Sequence, residues 1–360
     1  MPYEDIAQKK LQSLKDGFIL LSIESSCDET AAAILDSSRN VRSMAVHTQI
    51  PTHKLYGGVV PELASRSHVE RIGEVVREAI EKAGITRFDI DAIAVTNRPG
   101  LIGALLVGVS YAKGLAYGLN LPLVGVDHLS GHIAANYLSH KELEPPFVCL
   151  VASGGHSHIL KVEDCNRTVL LGHTRDDAAG EAFDKVARVL GLPYPGGPAL
   201  EALAREGNPD AFSLHSEFNE GDNPDFSFSG LKTAVINLKH KANLKNELIS
   251  SADLAASFQK AVVKTLVNKS MLCLEQTGLD KLVLAGGVSA NMALREALAN
   301  AARKHKAEFF CPEMKYCTDN AAMIGCAGYR LLLDGFRDTL SLDGIANFGE
   351  YSEHKRNQGG

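Results

Sequence analysis

The chain has 360 residues, with 37 Lys plus Arg against 43 Asp plus Glu and a formal net charge of −6. That length suggests two domains, large enough to fold without disulfides or a structural metal. The acidic balance argues against a general nucleic-acid coat protein, which carries a basic excess, but leaves room for a local basic patch.

Residues 1–17 mix Glu4, Asp5, Lys9, Lys10, Lys15 and Asp16 with no apolar run. They read as an N-terminal extension, neither a secretory nor a mitochondrial leader. Apolar runs at 18–23, 92–95, 122–126, 147–152 and 282–285 predict buried strands. Residues 69–83 predict an amphipathic helix, with Ile72, Val75, Val76, Ala79 and Ile80 on one face and Gly84 placed to cap it. The stretch 101–112 is apolar but short, and Lys113 closes it, so it predicts a buried helix and no membrane span. Alternating strands and helices indicate an α/β fold. Phe18–Asp36 and Phe147–Asp164 share a strand–polar turn–strand pattern, which suggests two similar halves around a cleft. His215–Asp225 is polar and aperiodic, and predicts a surface loop. Seven cysteines without a C-x-x-C pair signal neither a disulfide framework nor a zinc ribbon, and fit a reducing, cytoplasmic setting.

Three small polar turns follow predicted strands: Ser25-Ser26-Cys27-Asp28, Ser153-Gly154-Gly155 and Gly286-Gly287, the last opening a helix near Ser289. Such turns let a ligand approach the backbone, and a helix start offers free N–H groups to an anion. A plain strand-to-helix turn explains each equally well when taken alone. Neither a Walker A loop nor a G-x-G-x-x-G fingerprint is present. His128 and His132 stand four apart, so on a helix they face one way as a metal pair would. A zincin peptidase needs Glu directly after the first His, and here that residue is Leu129. Asp319 is a candidate third ligand, with a helix N-cap at Thr318 or Asp319 as the alternative. Asp177, Glu181 and Asp184 form an acidic helical stripe, and Tyr194–Pro198 a rigid turn. His53, Arg66, His68 and the Gly57-Gly58 pair suggest a surface that touches substrate, or an exposed helix start. Lys232, Lys239, Lys241 and Lys245, and Arg303, Lys304 and Lys306, form local basic runs.

Together these motifs closely resemble the TsaD family of tRNA N6-adenosine threonylcarbamoyltransferases. The resemblance spans about residues 18–345 and rests on IESSCDET (23–30), YGGVVPELASR (56–66), HLSGH (128–132), ASGGHSH (152–158), DDAAGEAFDKVA (176–187), YPGGP (194–198), FSFSGLKTA (226–234), AGGVSAN (285–291) and CTDNAAM (317–323). It implies two ribonuclease H-like lobes of the actin, sugar kinase and heat-shock ATPase superfamily around a nucleotide cleft. The expected lobes are 18–128 and 129–329, with a helix over 330–345 packing back on the first and a tail at 346–360.

The resemblance also implies roles. His128, His132 and Asp319 would hold one divalent ion, iron(II) first, with zinc or magnesium as alternatives. Val151, Ala152, Ser153, Gly154, Gly155, Asp184, Gly197, Glu201 and Asn291 would bind the threonylcarbamoyl-adenylate donor or ATP/AMP. Asp28 and Glu29, in the acidic first turn, are the candidates for removing the proton of the acceptor amine. The acceptor is adenosine 37 of tRNAs reading ANN codons. The donor comes from a TsaC-type adenylate-forming enzyme, and a TsaB-like paralogue and a TsaE-like P-loop ATPase are the implied partners. Arg98 stands where the family usually has glycine. Competing readings are a metal-dependent glycoprotein endopeptidase, a small-molecule kinase of the same fold, and a non-catalytic ATPase scaffold.

Overall fold

The computed structural model describes residues 1–165 and 167–346. Helix α1 (Tyr3–Ser13) precedes a five-stranded sheet. Its first strands, β1 (Leu20–Glu24), β2 (Glu29–Ser37) and β3 (Asn40–Thr48), form an antiparallel meander. Helices α2 (Ile50–Lys54) and α3 (Pro61–Lys82) lead to β4 (Ala92–Arg98), α4 (Ile102–Leu119) and β5 (Leu123–Asp127). β4 lies parallel to β1 on one side and to β5 on the other, giving the order β3-β2-β1-β4-β5.

The second half repeats this plan. After α5 (His128–Ser139) come β6 (Phe147–Ala152), β7 (Ser157–Asp164) and β8 (Arg167–His173), again antiparallel. Helices α6 (Ala179–Leu190), α7 (Gly196–Ala204), α8 (Ser229–Lys245) and α9 (Ser251–Thr277) precede β9 (Lys281–Ala285). α10 (Met292–Lys304) and β10 (Glu308–Phe310) follow, and α11 (Ala321–Leu333) closes the helical part. The order β10-β9-β6-β7-β8 places β6 parallel to β9, as β1 is to β4. The two hairpins read as a repeat in sequence, β1–β2 and β6–β7, therefore occupy equivalent places in two sheets. Every residue of β1 and of β6 is buried, which is why both read as short continuous apolar runs.

The helix that returns to the first sheet is Ala321–Leu333, ahead of the expected 330–345. It packs on β1, β2, β4 and β5 because its glycines permit close approach: a Cβ at Gly328 would lie 2.5 Å from the Ala94 Cβ. Gly335, at φ +83°, then turns the chain out of the helix. The following segment runs beside β5, with Asp338 N–H donating to Leu123 O at 2.7 Å and Asp338 Oδ2 accepting Gly125 N–H at 2.7 Å. It ends against the last residues of β4, where Ile345 N–H donates to Asn97 O at 2.9 Å. From residue 347 on, the expected tail lies outside the described residues. The N-terminal extension docks on the same lobe: Tyr3 Oη donates to Leu121 O at 2.8 Å, and Arg337 pairs with Glu4 at 2.6 Å.

α4 buries Ala104, Leu105, Val109, Ala112 and Ala116 and packs against β4 and α3. Among the described residues it is the one helix long and apolar enough to cross a membrane by length and composition. His215–Asp225 is a loop with one short 3-10 turn, as its composition predicts, although Asp225 itself is buried and pairs with Arg175.

Candidate active site

Asp127 ends β5 and caps α5, its Oδ1 accepting the N–H groups of Leu129 at 3.0 Å and Ser130 at 3.1 Å. The helix therefore starts at His128, and His132 follows one turn later on the same face, with ring centroids 4.6 Å apart. Gly131 does not break this helix. A Cβ there would lie 2.7 Å from Ile324 Cδ1, so glycine lets α11 close against α5. At the start of α11 the cap is Asn320, whose Oδ1 accepts Met323 N–H at 2.9 Å, and neither Thr318 nor Asp319 takes that role. The Asp319 carboxylate is thus left to face the histidines, its Oδ1 3.4 Å from His128 Nε2 and 3.3 Å from His132 Nε2.

The residues fit a metal ion. One ligand atom from each of His128, His132 and Asp319 lies within 4.8 Å of the others. His132 is 1% exposed, and its Nε2 faces the Asp319 carboxylate without well-formed hydrogen-bond geometry. A buried ring nitrogen so placed is costly unless something takes its lone pair. Two imidazoles and a carboxylate are a donor set that suits first-row divalent ions. Burial opposes charge on Asp319, but the His128 and His132 rings hold it well below the usual carboxylate range. Burial likewise opposes charge on His128, yet Asp319 and Glu24 hold it well above the usual imidazole value. Burial and the neighbouring His128 push His132 down.

Asp28 ends the turn from β1, and Glu29 opens β2. Burial raises Asp28, and the Asp319 charge raises it further. Burial pushes Glu29 up to about 8, although Thr48 Oγ1 donates to its Oε1 at 2.8 Å. From the other lobe, Tyr194 Oη donates to Asp28 Oδ2 at 3.3 Å.

The three glycine-bearing segments of the second lobe pack together. A Cβ at Gly286 would lie 2.4 Å from Ala152 O, and one at Gly180 would lie 2.7 Å from Ser153 O. By contrast, a Cβ at Gly154, Gly155, Gly197 or Gly287 would meet nothing within 4 Å, so those glycines border open space. Val151 and Ala152 are buried in β6, and Ser153 N–H donates to His156 O at 2.8 Å to close the turn. Asp184 does not join a solvent-facing acidic stripe. Its Oδ1 accepts Gly196 N–H at 2.7 Å and Gly197 N–H at 3.3 Å, tying α6 to the start of α7. Asp177 instead pairs with Lys185 at 2.7 Å and Lys232 at 2.6 Å. Asn291 caps α10, Oδ1 accepting Leu294 N–H at 2.9 Å, after a 3-10 turn over Gly287–Ala290, so the helix starts later than the expected Ser289. Glu201 Oε1 accepts Met292 N–H at 3.0 Å beside it.

Sequence reasoning misjudged His53 and His68, which are fully buried. His68 bridges Thr30 Oγ1 at 2.7 Å and Cys27 O at 2.9 Å, and so braces the acidic turn from behind. It missed Glu24, whose only signal is an acid ending a wholly buried strand, and which lies 3.1 Å from His128 Nδ1. It also missed His156, which burial pushes down to about 3, with His158, His128 and His132 adding to the effect. His156 thus lies within electrostatic reach of His128 and His132.

A sequence profile of TsaD, described as tRNA N6-adenosine threonylcarbamoyltransferase, matches residues 40–326. A protein of that name from Clostridium perfringens (strain SM101) is 55% identical over 329 residues, covering 91% of this chain and 97% of the relative. Its namesake from Clostridioides difficile (strain 630) is 52% identical over 329 residues, covering 91% and 97%. Among solved structures, component A of the Acidaminococcus fermentans (R)-2-hydroxyglutaryl-CoA dehydratase superposes with TM-score 0.54 at 14% identity, covering 88% of this chain and 99% of that one. Full-length HypF, in a phosphate- and nucleotide-bound form, superposes with TM-score 0.59 at 15% identity, over 89% of this chain and 47% of its own. These two likenesses show the fold alone. With the profile spanning most of the chain and relatives above half identical over nearly their whole length, the chain belongs to the TsaD family of tRNA N6-adenosine threonylcarbamoyltransferases.

Proposed function

We propose that the cleft takes L-threonylcarbamoyl-adenylate as donor and the N6 amine of the adenosine following the anticodon as acceptor, releasing AMP and N6-threonylcarbamoyladenosine. The observation that carries this reading is the pairing of a buried His128, His132, Asp319 cluster, fit for a cation, with glycine turns that border open space. The acceptor amine is a poor nucleophile because its lone pair is delocalised into the purine, so the protein's main task is alignment. The Val151–Gly155 turn, Asp184, Gly197, Glu201 and Asn291 frame the adenylate, with Gly154, Gly155 and Gly197 leaving room for its backbone contacts. His128, His132 and Asp319 hold a divalent ion, iron(II) by family resemblance. When bound, the ion supplies positive charge against the phosphate and threonyl oxygens of the donor.

Glu29 is the preferred proton acceptor. Its carboxyl titrates near 8 and keeps one oxygen, Oε2, buried without a hydrogen-bond partner. A base poised near the working pH is the most effective kind. Asp28, held by Tyr194 across the cleft, orients the acceptor. The acceptor base lies in an unpaired loop, the kind of RNA site that proteins read by splaying bases out. The setting is cytoplasmic, with a TsaB-like paralogue and a TsaE-like ATPase as partners and a TsaC-type enzyme supplying the donor. The peptidase reading loses support because Leu129, where its base would stand, is an apolar side chain with no exposure.

The test supplies tRNA, threonine, bicarbonate and ATP with the adenylate-forming enzyme and the bacterial partner proteins. Nucleoside mass spectrometry is expected to detect threonylcarbamoyladenosine. Absence of product with this chain, when another family member works in its place, overturns the assignment.

A further inference from the structure

β1 ends in a charged residue that the proposed chemistry does not use. Glu24 is 0% exposed, and so is Ser22 on the same face of the strand. A lone carboxylate at such a depth is very costly unless it is paired and hydrogen-bonded. Here both oxygens are engaged. Oε1 accepts the Ser26 backbone N–H, and Oε2 accepts the Thr96 hydroxyl from β4. Oε2 also lies 3.1 Å from His128 Nδ1. Both oxygens therefore act as acceptors from N–H and O–H donors, the role of an ionised carboxylate.

An ionised carboxylate can only accept hydrogen bonds. The contact therefore requires the proton on His128 Nδ1. Ser26 Oγ also lies 3.1 Å from Nδ1 and could donate to it instead. A charged acceptor makes the stronger bond, so Glu24 outcompetes that arrangement. With the proton kept on Nδ1, a cation that displaces the other ring proton meets the lone pair on Nε2, the nitrogen 3.4 Å from Asp319 Oδ1. His132 differs, because its Nδ1 is buried with no partner at all. One histidine of the pair is preset by the fold and the other is not.

We propose that Glu24 is a positioning residue that fixes the Nδ1–H form of His128 and so presents Nε2 to the cation held with His132 and Asp319. The proposal rests on the metal reading of that cluster, and its test separates the two. Zinc(II) serves as the probe, titrated into the full-length metal-free chain against a chromophoric chelator. Glu24→Gln, which keeps the shape and removes the charge, is expected to weaken zinc binding about 10–100-fold, the usual effect of losing such a partner. Thr96→Val, which removes only the hydroxyl that holds Oε2, is expected to give a smaller loss in the same direction. Nitrogen-15 histidine spectra of the zinc-loaded wild type should show zinc on Nε2 and the proton on Nδ1 of His128. The metal-free wild type should show a downfield Nδ1 proton that disappears in Glu24→Gln. Unchanged affinity in Glu24→Gln, or zinc on Nδ1, overturns the proposal. If the wild type binds no zinc, the metal reading falls, whereas the Nδ1 proton and its loss in Glu24→Gln still decide what Glu24 does to the ring.

Discussion

At the scale of single residues, the site is shaped by what burial does to charge. Glu29, raised to about 8, is largely protonated at neutral pH. As a proton acceptor it works only when ionised, so single-turnover transfer should rise with pH through about 8. Glu29→Gln should abolish that limb and slow transfer by about 10²–10⁴-fold, the range for a lost general base. The same shift has a stability consequence of fixed sign. Between the ordinary value of 4.5 and about 8, the folded chain keeps a proton that the unfolded chain has lost. Glu29 therefore makes stability fall as pH rises through that window, and urea midpoints measured across it should slope less steeply in Glu29→Gln. The candidate ligands were legible because His128 and His132 sit four apart on a helix that begins at the first of them. Glu24 and His68 were not, because their partners come from other segments: His128 and Thr96 for the first, Thr30 and Cys27 for the second.

At the scale of elements, two caps decide where the ligands point. The sequence offers Thr318, Asp319 and Asn320 in a row, each able to cap a helix, and local propensity cannot choose among them. Packing chooses Asn320, which is 2% exposed, and frees Asp319 for the histidines. Asn320→Ala should therefore cost about 0.5–2 kcal/mol in denaturant unfolding and weaken zinc binding, whereas Thr318→Ala, at an exposed position, should do neither. Five buried strands were predicted to within about three residues at each end, since strands buried on both faces carry unbroken apolar runs, whereas β3, β8 and β10 were not predicted. Helix starts were less legible: a 3-10 turn delays α10, and Asp184 turns inward to bind the α7 glycines. Gly286 shows how tightly these turns are built. Its φ of +88° and a space that would bring a Cβ within 2.4 Å of Ala152 O leave no room for a side chain. Gly286→Ala is expected to destabilise the fold by about 2–4 kcal/mol, seen as a lower urea midpoint.

At the scale of the whole molecule, contacts cross between the lobes at the cleft. Tyr194 Oη donates to Asp28, and Arg188 of α6 donates to Gly57 O while lying against Gly57 and Gly58. These glycines, which looked from sequence like a substrate surface, serve here to seat an arginine from the opposite lobe. Arg188 is exposed, so Arg188→Ala should shift unfolding by less than about 1 kcal/mol. It should broaden the distribution of lobe separations measured by fluorescence energy transfer between labels on the two lobes. The return of α11 to the first sheet also sets an order of manufacture. During synthesis N-terminal units generally fold first, at a few residues per second. Here the first lobe must wait: α11 and the segment carrying Asp338 and Ile345, which cover its sheet, are made after every strand of both sheets. His128 and His132 are made early and wait for Asp319, so a nascent or truncated chain has a folding problem and an incomplete ligand set at once. The proposed cation site is thus completed only after both sheets have been made.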